Sequence, residues 1–302
     1  MKSKYTIFHI LGGIGKHIAA IAVAKCIKNN YPDRKLIVVC VYSEIFLNIP
    51  FVDRVYQLGN TSYFYQNYIQ DKDSLIFYHE PYYTTDHIHK KLPLIENWCK
   101  LYNLKFNNEK PELKFNTLQK NIAKEVWCKN KKPVMVIHTN GGVMSTDTKP
   151  YSWTRDMPAT LAQQLVDYYK DKYEIYQVTK LNSVKLEGAN HIFATPENSL
   201  SLMELFSLLI HSKKRILIDS CMQHAASALK LPSTVLWNGT SPKVFGYDIH
   251  TNICTEIPHN FKLPGSYLFD FDFNGVEIEY PFTEQEELYD FEKIIQSIDN
   301  QL

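Results

Sequence analysis

Residues 215–236 read RILIDSCMQHAASALKLPSTVL, and this stretch decides the fold. Ile216-Leu217-Ile218 is a short apolar run stopped at once by Asp219 and Ser220. Small residues at helical spacing follow (Ala225, Ala226, Ala228, with Leu229). Pro232 ends them, and Val235-Leu236 opens a second apolar run. The pattern predicts strand, turn, helix and strand in succession, the unit of a parallel α/β sheet. Its polar residues fall where strand gives way to helix, the carboxyl edge at which open α/β sheets bind ligands. Asp219 or Ser220 can cap the helix, and backbone N–H groups left free at its start can hold a phosphate. His224 lies one turn further in, close enough to face the same ligand. Taken alone, the turn reads equally well as an ordinary β–α connection with a capping Asp and a surface His.

The rest of the chain repeats this grammar. Tyr5 to Leu11 is an apolar strand, Gly12-Gly13-Ile14-Gly15 a glycine turn, Ile18 to Ile27 a helix and Leu36 to Val41 a buried β-branched strand. After the charged, proline-terminated boundary Lys129 to Pro133, Val134 to Ile137 opens a second half and runs into His138-Thr139-Asn140-Gly141-Gly142. Between them, a short helix and a strand near Val55 precede the strand Ser74 to Tyr78, which ends in His79-Glu80-Pro81. Helices are expected at Ile88–Tyr102, Leu118–Val126, Thr160–Tyr169, Leu202–Ile210 and Glu284–Ile298, with strands at 113–115, 173–178 and 191–194. Residues 60–73 are polar and aromatic and take no assignment, and 252–279 has a mixed pattern that admits hairpin-like strands. Two halves, each opening β–turn–α–β, predict two Rossmann-like α/β domains facing each other across a cleft, residues 1–130 and 131–283. A terminal helix in 284–302 is expected to pack back on the first.

Composition narrows the classes. A chain of 302 residues suits two domains. Its 45% hydrophobic and 22% charged residues are globular proportions. A net charge of +1 supplies no global field toward nucleic acid, and allows at most a peripheral attachment to membrane, so an anionic ligand must be held by a local site. No apolar run reaches a membrane span, and the opening MKSKYTIFHILGG reads as a first strand rather than a signal peptide. The six cysteines are scattered without CxxC, and Cys26 and Cys40 fall in apolar patterns. Buried free thiols of that kind favour a reducing cytoplasm and argue against a zinc site.

Several motifs carry chemistry only weakly. Gly12, Gly13 and Gly15 do not meet GxGxxG, no acidic residue closes the second strand, and GxxxxGK[ST] is missing. The glycines are read instead as permitting close approach of another molecule to the backbone. His87 and His89 lie at a helix start, where side chains two apart diverge, so no metal is expected there. His79 and Glu80 end a strand, where either can accept a proton from a hydroxyl, although a polar loop is the plainer reading for each alone. Arg155, in a cationic loop before a helix, offers the bidentate fork that suits a diphosphate.

Together, four pieces resemble glycosyltransferase family 9, the lipopolysaccharide heptosyltransferase family, whose fold is GT-B. They are the strand–GGIG–helix start, PVMVIHTNGG, SWTRDMP before a helix, and SLMELFSLLIHSKKRILIDSCMQHAASALKLPSTVLWNGTSP. The last is the most specific, similar to the family's D-S/T-G-x-x-H-x-A-A-A-L pattern and its flanks. The resemblance covers about 1–30 and 131–243. It implies that Thr139, Asn140 and Gly141 meet the phosphates of a nucleotide diphosphate sugar. Arg155 would take the family's diphosphate lysine position, and Asp219, Ser220, Cys221 and His224 would line the donor site. The first half, with its glycine loop, would receive the acceptor.

Two departures bear on mechanism. The family's aspartate after the glycine turn, the expected base, is replaced by Lys16, and a protonated lysine accepts no proton. Three readings follow: His17, His79 or Glu80 takes over the base role, Lys16 holds an acidic acceptor or a phosphate, or the protein binds a sugar nucleotide without transfer. Cys221 replaces a glycine, so ADP-heptose is not assumed as donor. The expectation is a cytoplasmic glycosyltransferase, inverting and metal-independent, with a nucleotide-sugar donor as co-substrate, a glycan acceptor and no cofactor. The alternatives are a silent GT-B module that binds glycan or sugar nucleotide, and a sugar-nucleotide epimerase on the same fold.

Overall fold

The computed structural model describes residues 2–127, 132–141, 155–180, 183–193, 201–255 and 288–301. The chain divides into two compact units, Met1–Asn116 and Thr117–Leu302.

In the first unit, β1 (Lys4–Ile10) leads through the glycine turn into α1 (Ile14–Asn30), and β2 (Lys35–Cys40) follows. All are parallel, as expected. Strand β3 (Arg54–Gln57), α2 (Phe64–Tyr68), β4 (Asp73–Phe77), α3 (Thr85–Ile88) and α4 (Leu94–Leu101) complete the unit, with sheet order β3-β2-β1-β4. Strand β2 is buried from Leu36 to Cys40, the continuous apolar run of a strand covered on both faces. Helix α1 buries Ala19, Ala20, Ala22 and Ala24 together with Ile18, Ile21 and Ile27, and these small residues let it lie close to the sheet and to α4.

Three expectations change here. The single helix expected over 88–102 is two helices, because Pro93 disfavours a helical conformation at the residue before it. Lys90 adopts a left-handed φ of 52° between them. Residues 113–115 form no strand, although Leu113 is buried. The unassigned aromatic stretch contains α2, whose Phe64 and Tyr68 pack with Tyr56 against Ile7, Ile37 and Val39 on one sheet face.

The second unit comprises α5 (Thr117–Trp127), β5 (Val134–His138), α6 (Ala159–Tyr169), β6 (Glu174–Thr179), β7 (Asn190–Phe193), α7 (Leu202–His211) and β8 (Ser212–Ile218). It continues through α8 (Cys221–Ala228), β9 (Thr234–Trp237), α9 (Pro242–Phe245), β10 (Thr251–Cys254) and α10 (Phe291–Asp299). Its six parallel strands are ordered β10-β9-β8-β5-β6-β7. Strand β10 pairs in parallel with β9, not as a hairpin, and the remainder of 252–279 lies outside the described residues. Helix α5, expected as a linker, belongs to this unit. It packs on α7, where the buried Trp127 indole N–H donates to Ser207 Oγ at 2.9 Å.

The terminal helix belongs to the second unit. Helix α10 lies on β8 and β9. Ile294, Ile295 and Ile298 join a core with Met135, Ile137, Ile216 and Ile218 of the sheet and Leu165, Val166 and Tyr169 of α6. The Asp290 carboxylate caps its first turn, accepting from the N–H groups of Glu292 and Lys293. At its far end Gln301 exchanges two 2.8 Å hydrogen bonds with the Arg215 backbone, and Tyr169 Oη donates to Asp299. Ile298 is fully buried. Ile298→Ala should therefore lower unfolding free energy by about 2–5 kcal/mol in urea titrations. A loss below about 0.5 kcal/mol, the range of surface changes, would contradict this packing.

Candidate functional site

In each sheet the strand order reverses once. The first unit steps outward from β1 through β2 and β3, then crosses to the other side of β1 with β4. The second reverses between β5 and β8. At such a point the connections leave toward opposite faces, opening a crevice outside the strands' carboxyl ends. The predicted site residues lie at these two places.

In the first unit, β1 runs into Leu11-Gly12-Gly13, and β4 into Tyr78-His79-Glu80. Gly12 adopts φ +92°, which side chains disfavour, and a Cβ there would meet Lys16 Cδ at 3.1 Å. Gly13 is the N-cap of α1, and Gly15 follows in its first turn. The Lys16 side chain folds back beneath this turn. Its ammonium pairs with Glu80 Oε2 and lies 4.9 Å from the Tyr82 ring centre and 5.1 Å from that of Trp98. Only 3% of the Lys16 side chain is exposed, against 25% for Glu80, so the carboxylate is the half of the pair that meets solvent. Burial pulls the Lys16 pKa down, and the Glu80 carboxylate opposes that pull.

The three candidate bases separate cleanly. His17 is fully buried, its Nδ1 2.9 Å from the Gly13 carbonyl while Nε2 accepts from Val41 N–H at 3.3 Å. Burial pushes its pKa down to about 4. Both ring nitrogens are committed to backbone, so His17 ties α1 to β2 and is no proton acceptor for a ligand. His79 is exposed and stacked on Tyr78, with ring centres 4.3 Å apart. Glu80 stands at the crevice in contact with α1. Lys16, with its charge engaged by Glu80 and two rings, is not presented to an acidic acceptor.

In the second unit, the turn after β5 and the turn after β8 touch. A Cβ on Gly141 would meet Ser220 Cβ at 3.1 Å and its Oγ at 3.2 Å, so any larger residue would have to push the Ser220 side chain aside by a few tenths of an ångström. The residues that the resemblance assigns to the phosphates in the β5 turn bond within the protein. Asp156 accepts from Asn140 Nδ2 and from Gly141 N–H, both at 2.9 Å. Asn140 Oδ1 accepts from Thr139 and Thr179, and Gln177 donates to Thr139 Oγ1. Thr139, Asn140 and Gly141 thus shape the crevice wall through a buried network, with their polar groups engaged by protein. Such a network holds its geometry firmly when its members are satisfied.

Ser220 occupies the N-cap of α8, but its hydroxyl bonds none of the first-turn amides. Asp219 is buried beside it. Cys221 opens the helix, and burial raises its thiol pKa to about 11, which keeps it protonated. His224 Nδ1 lies 2.8 Å from Tyr247 Oη. Burial first, then the neighbouring His250 and Arg155, lower the His224 pKa to about 3, so the ring is neutral. Arg155, from the loop before α6, is thus near enough for its charge to act on the His224 ring. The sequence reading omitted Asp156, Asn238 and Tyr247. Asn238 donates to the Asp156 carbonyl at 2.8 Å and accepts from Tyr289 Oη. Asp156 was legible only as Arg155's neighbour, and nothing local announced the others.

Among the described residues no group of three His, Cys, Asp or Glu is placed to hold a metal ion, and no helix is long and apolar enough to cross a membrane. His87 is buried and His89 exposed, so they do not form a pair.

No protein-family model matches the chain, and no curated protein matches it. Solved structures do. A glycosyl transferase of family 9 from Veillonella parvula DSM 2008 aligns over 99% of this chain and 97% of its own, with TM-score 0.69 and 12% identity. The ADP-heptose LPS heptosyltransferase II of E. coli aligns over 85% and 91%, with TM-score 0.61 and 12% identity. The iron-containing dodecameric glycosyltransferase TibC of enterotoxigenic E. coli H10407 aligns over 99% and 77%, with TM-score 0.65 and 12% identity. At this identity the likeness is one of fold, and it spans both parallel-sheet units: the chain is a GT-B protein, built like the glycosyltransferases of family 9.

Proposed function

We propose that the protein is a glycosyltransferase that moves a sugar from a nucleoside diphosphate donor, held by the second unit, to a glycan acceptor held by the first. The observation that carries this reading is the Glu80 carboxylate. It stands against Lys16, the position at which the family resemblance expects an aspartate, at the switch point of the first sheet. The negative charge missing from α1 is returned from the end of β4. The fold of the heptosyltransferases supports the reading, and ADP- and UDP-sugars are the natural first probes.

The chemistry follows from the parts. Arg155 neutralises the diphosphate, aided by the positive end of the α8 dipole. Neutral His224, if Tyr247 donates to its Nδ1, carries its proton on Nε2 and donates it toward the donor. The acceptor hydroxyl attacks the anomeric carbon from the face opposite the diphosphate. The bond from that carbon to the diphosphate oxygen breaks, and its electron pair leaves with the diphosphate. The hydroxyl proton passes to Glu80. One displacement inverts the anomeric centre, and stabilising the leaving anion is an electrostatic task that cationic side chains and amides perform without a metal. Lys16 is a positioning residue. It fixes the carboxylate and touches neither substrate.

Glu80→Gln should lower kcat by about 10²–10⁴, the span of general-base contributions, while leaving the donor KM within about twofold. Lys16→Met should lower kcat with the donor KM likewise unchanged. Steady-state transfer to an acceptor panel measures both, with circular dichroism reporting folding. Unchanged kcat in Glu80→Gln removes it as base. Binding of sugar nucleotides without any turnover would favour the silent module, and an altered sugar without acceptor the epimerase.

Arg155→Ala should weaken nucleoside diphosphate binding about 10- to 100-fold by calorimetry, the worth of charge-assisted hydrogen bonds. Affinity within a factor of two would refute the diphosphate role.

A further inference from the structure

The first unit carries a hollow of about 320 Å³ lined by Ile7, His9, Val39, Leu58, Gly59, Thr61, Phe64, Ile76 and Tyr78. Its floor follows from strand periodicity. Ile7 and His9 of β1, Val39 of β2, and Ile76 with Tyr78 at the end of β4 project from one sheet face, and Ile7 registers with Ile76 as His9 does with Val39. Phe64 of α2 and the turn after β3 close the sides. The opposite face, with Phe8 and Phe77, packs on Trp98 and Tyr102. The hollow is therefore a surface left open by the short α2, separate from the core beneath α4.

Its exposure is unusual for what lines it. Ile76 is 52% exposed, Tyr78 55% and Leu58 42%, a contiguous apolar set of the kind that marks binding sites. The volume is at the small end of ligand pockets, and the composition is theirs: apolar walls with a few polar handles, here His9, Thr61 and the Tyr78 hydroxyl. No Lys, Arg, Asp or Glu lines it. Lys16, the buried cation of this unit, is already engaged by Glu80. Tyr78 stands two residues before Glu80, and His9, whose charged form is disfavoured by burial, feels the Glu80 carboxylate as an opposing influence. The hollow thus reaches, through Leu58, Gly59 and Tyr78, the same carboxyl edge of the sheet that carries the proposed base.

We propose that this hollow is the acceptor subsite and that it takes an uncharged sugar ring by its apolar face. The C–H face of a pyranose lies on Ile76, Leu58 and the Tyr78 ring, while hydroxyls on its rim reach His9, Thr61 and Glu80. An acceptor unit bearing a carboxylate or phosphate finds no counter-charge here and is disfavoured, so the subsite selects neutral acceptors. This rests on the glycosyltransferase reading, which it deepens by naming the acceptor class.

The test is saturation-transfer NMR on the full chain without donor, using methyl α-L-rhamnoside, methyl β-D-glucoside and methyl β-D-glucuronide. Variants Tyr78→Ala and Ile76→Asn alter exposed side chains, and binding of ADP or UDP reports that the second unit is intact. The proposal expects transfer to the neutral glycosides, with the C–H face most saturated, and little to the glucuronide. Tyr78→Ala should weaken binding about fivefold or more, the worth of one aromatic contact. It is overturned if the glucuronide binds best, if the variants bind within twofold of the parent, or if only long-chain alkyl glycosides bind, which would make the hollow an aglycone site. Neutral-glycoside binding lost in the variants, in a protein that transfers no sugar, would retain the subsite and refute the enzyme. Transfer unaffected by both variants would do the reverse.

Discussion

A lysine with 3% of its side chain exposed must have its charge answered, and in this protein a single carboxylate answers it. The pair Lys16–Glu80 joins the first turn of α1 to the segment after β4, across the point where the first sheet reverses its order. The glycine turn, the cage of Tyr82 and Trp98, and the placement of a carboxylate at the crevice all follow from satisfying that charge. Gly12 leaves room for the lysine stem, and the two rings contribute attraction to its face-on ammonium. Because Glu80 is the more exposed partner, the arrangement presents an anion, not a cation, to whatever enters.

The second unit meets the same geometric demand by other means. Its switch point brings Gly141 close to the Ser220 side chain and is stiffened by Asp156, which gathers Asn140 and the Gly141 amide. Around this rigid corner are groups suited to an anion: Arg155, a neutral His224 and the start of α8. One sheet edge thus carries a carboxylate and the other cationic and donor groups. In the reading advanced above, that division separates acceptor activation from leaving-group stabilisation.

Much of the fold was legible because apolar runs and glycine turns are local. The two β–α–β openings, the strand–turn–helix at 215–236 and the fold class are in place. What the sequence does not show depends on partners distant in it. The amphipathic face of α10 announces that it packs, not on which sheet. Lys16 read as the loss of an acid because its partner is 64 residues away. His17 looked like a base until its two nitrogens found the Gly13 carbonyl and the Val41 amide. Asn140 looked like a phosphate ligand because nothing near it in sequence shows that Asp156 claims its amide. The stretch 60–73 resisted assignment because a five-residue helix rich in tyrosine lacks both the length and the periodicity of an amphipathic one.

The most direct measurement is a charge exchange between the two members of the pair. Single-turnover transfer is compared for Lys16→Asp, Glu80→Lys and the double variant carrying both. If a carboxylate held by an ammonium at this crevice is what catalysis requires, each single change leaves two like charges facing and abolishes transfer. The double variant, which returns the acid to α1, should then recover at least about tenfold over either single, roughly 1.4 kcal/mol in the barrier. A double variant no faster than the slower single would contradict the account.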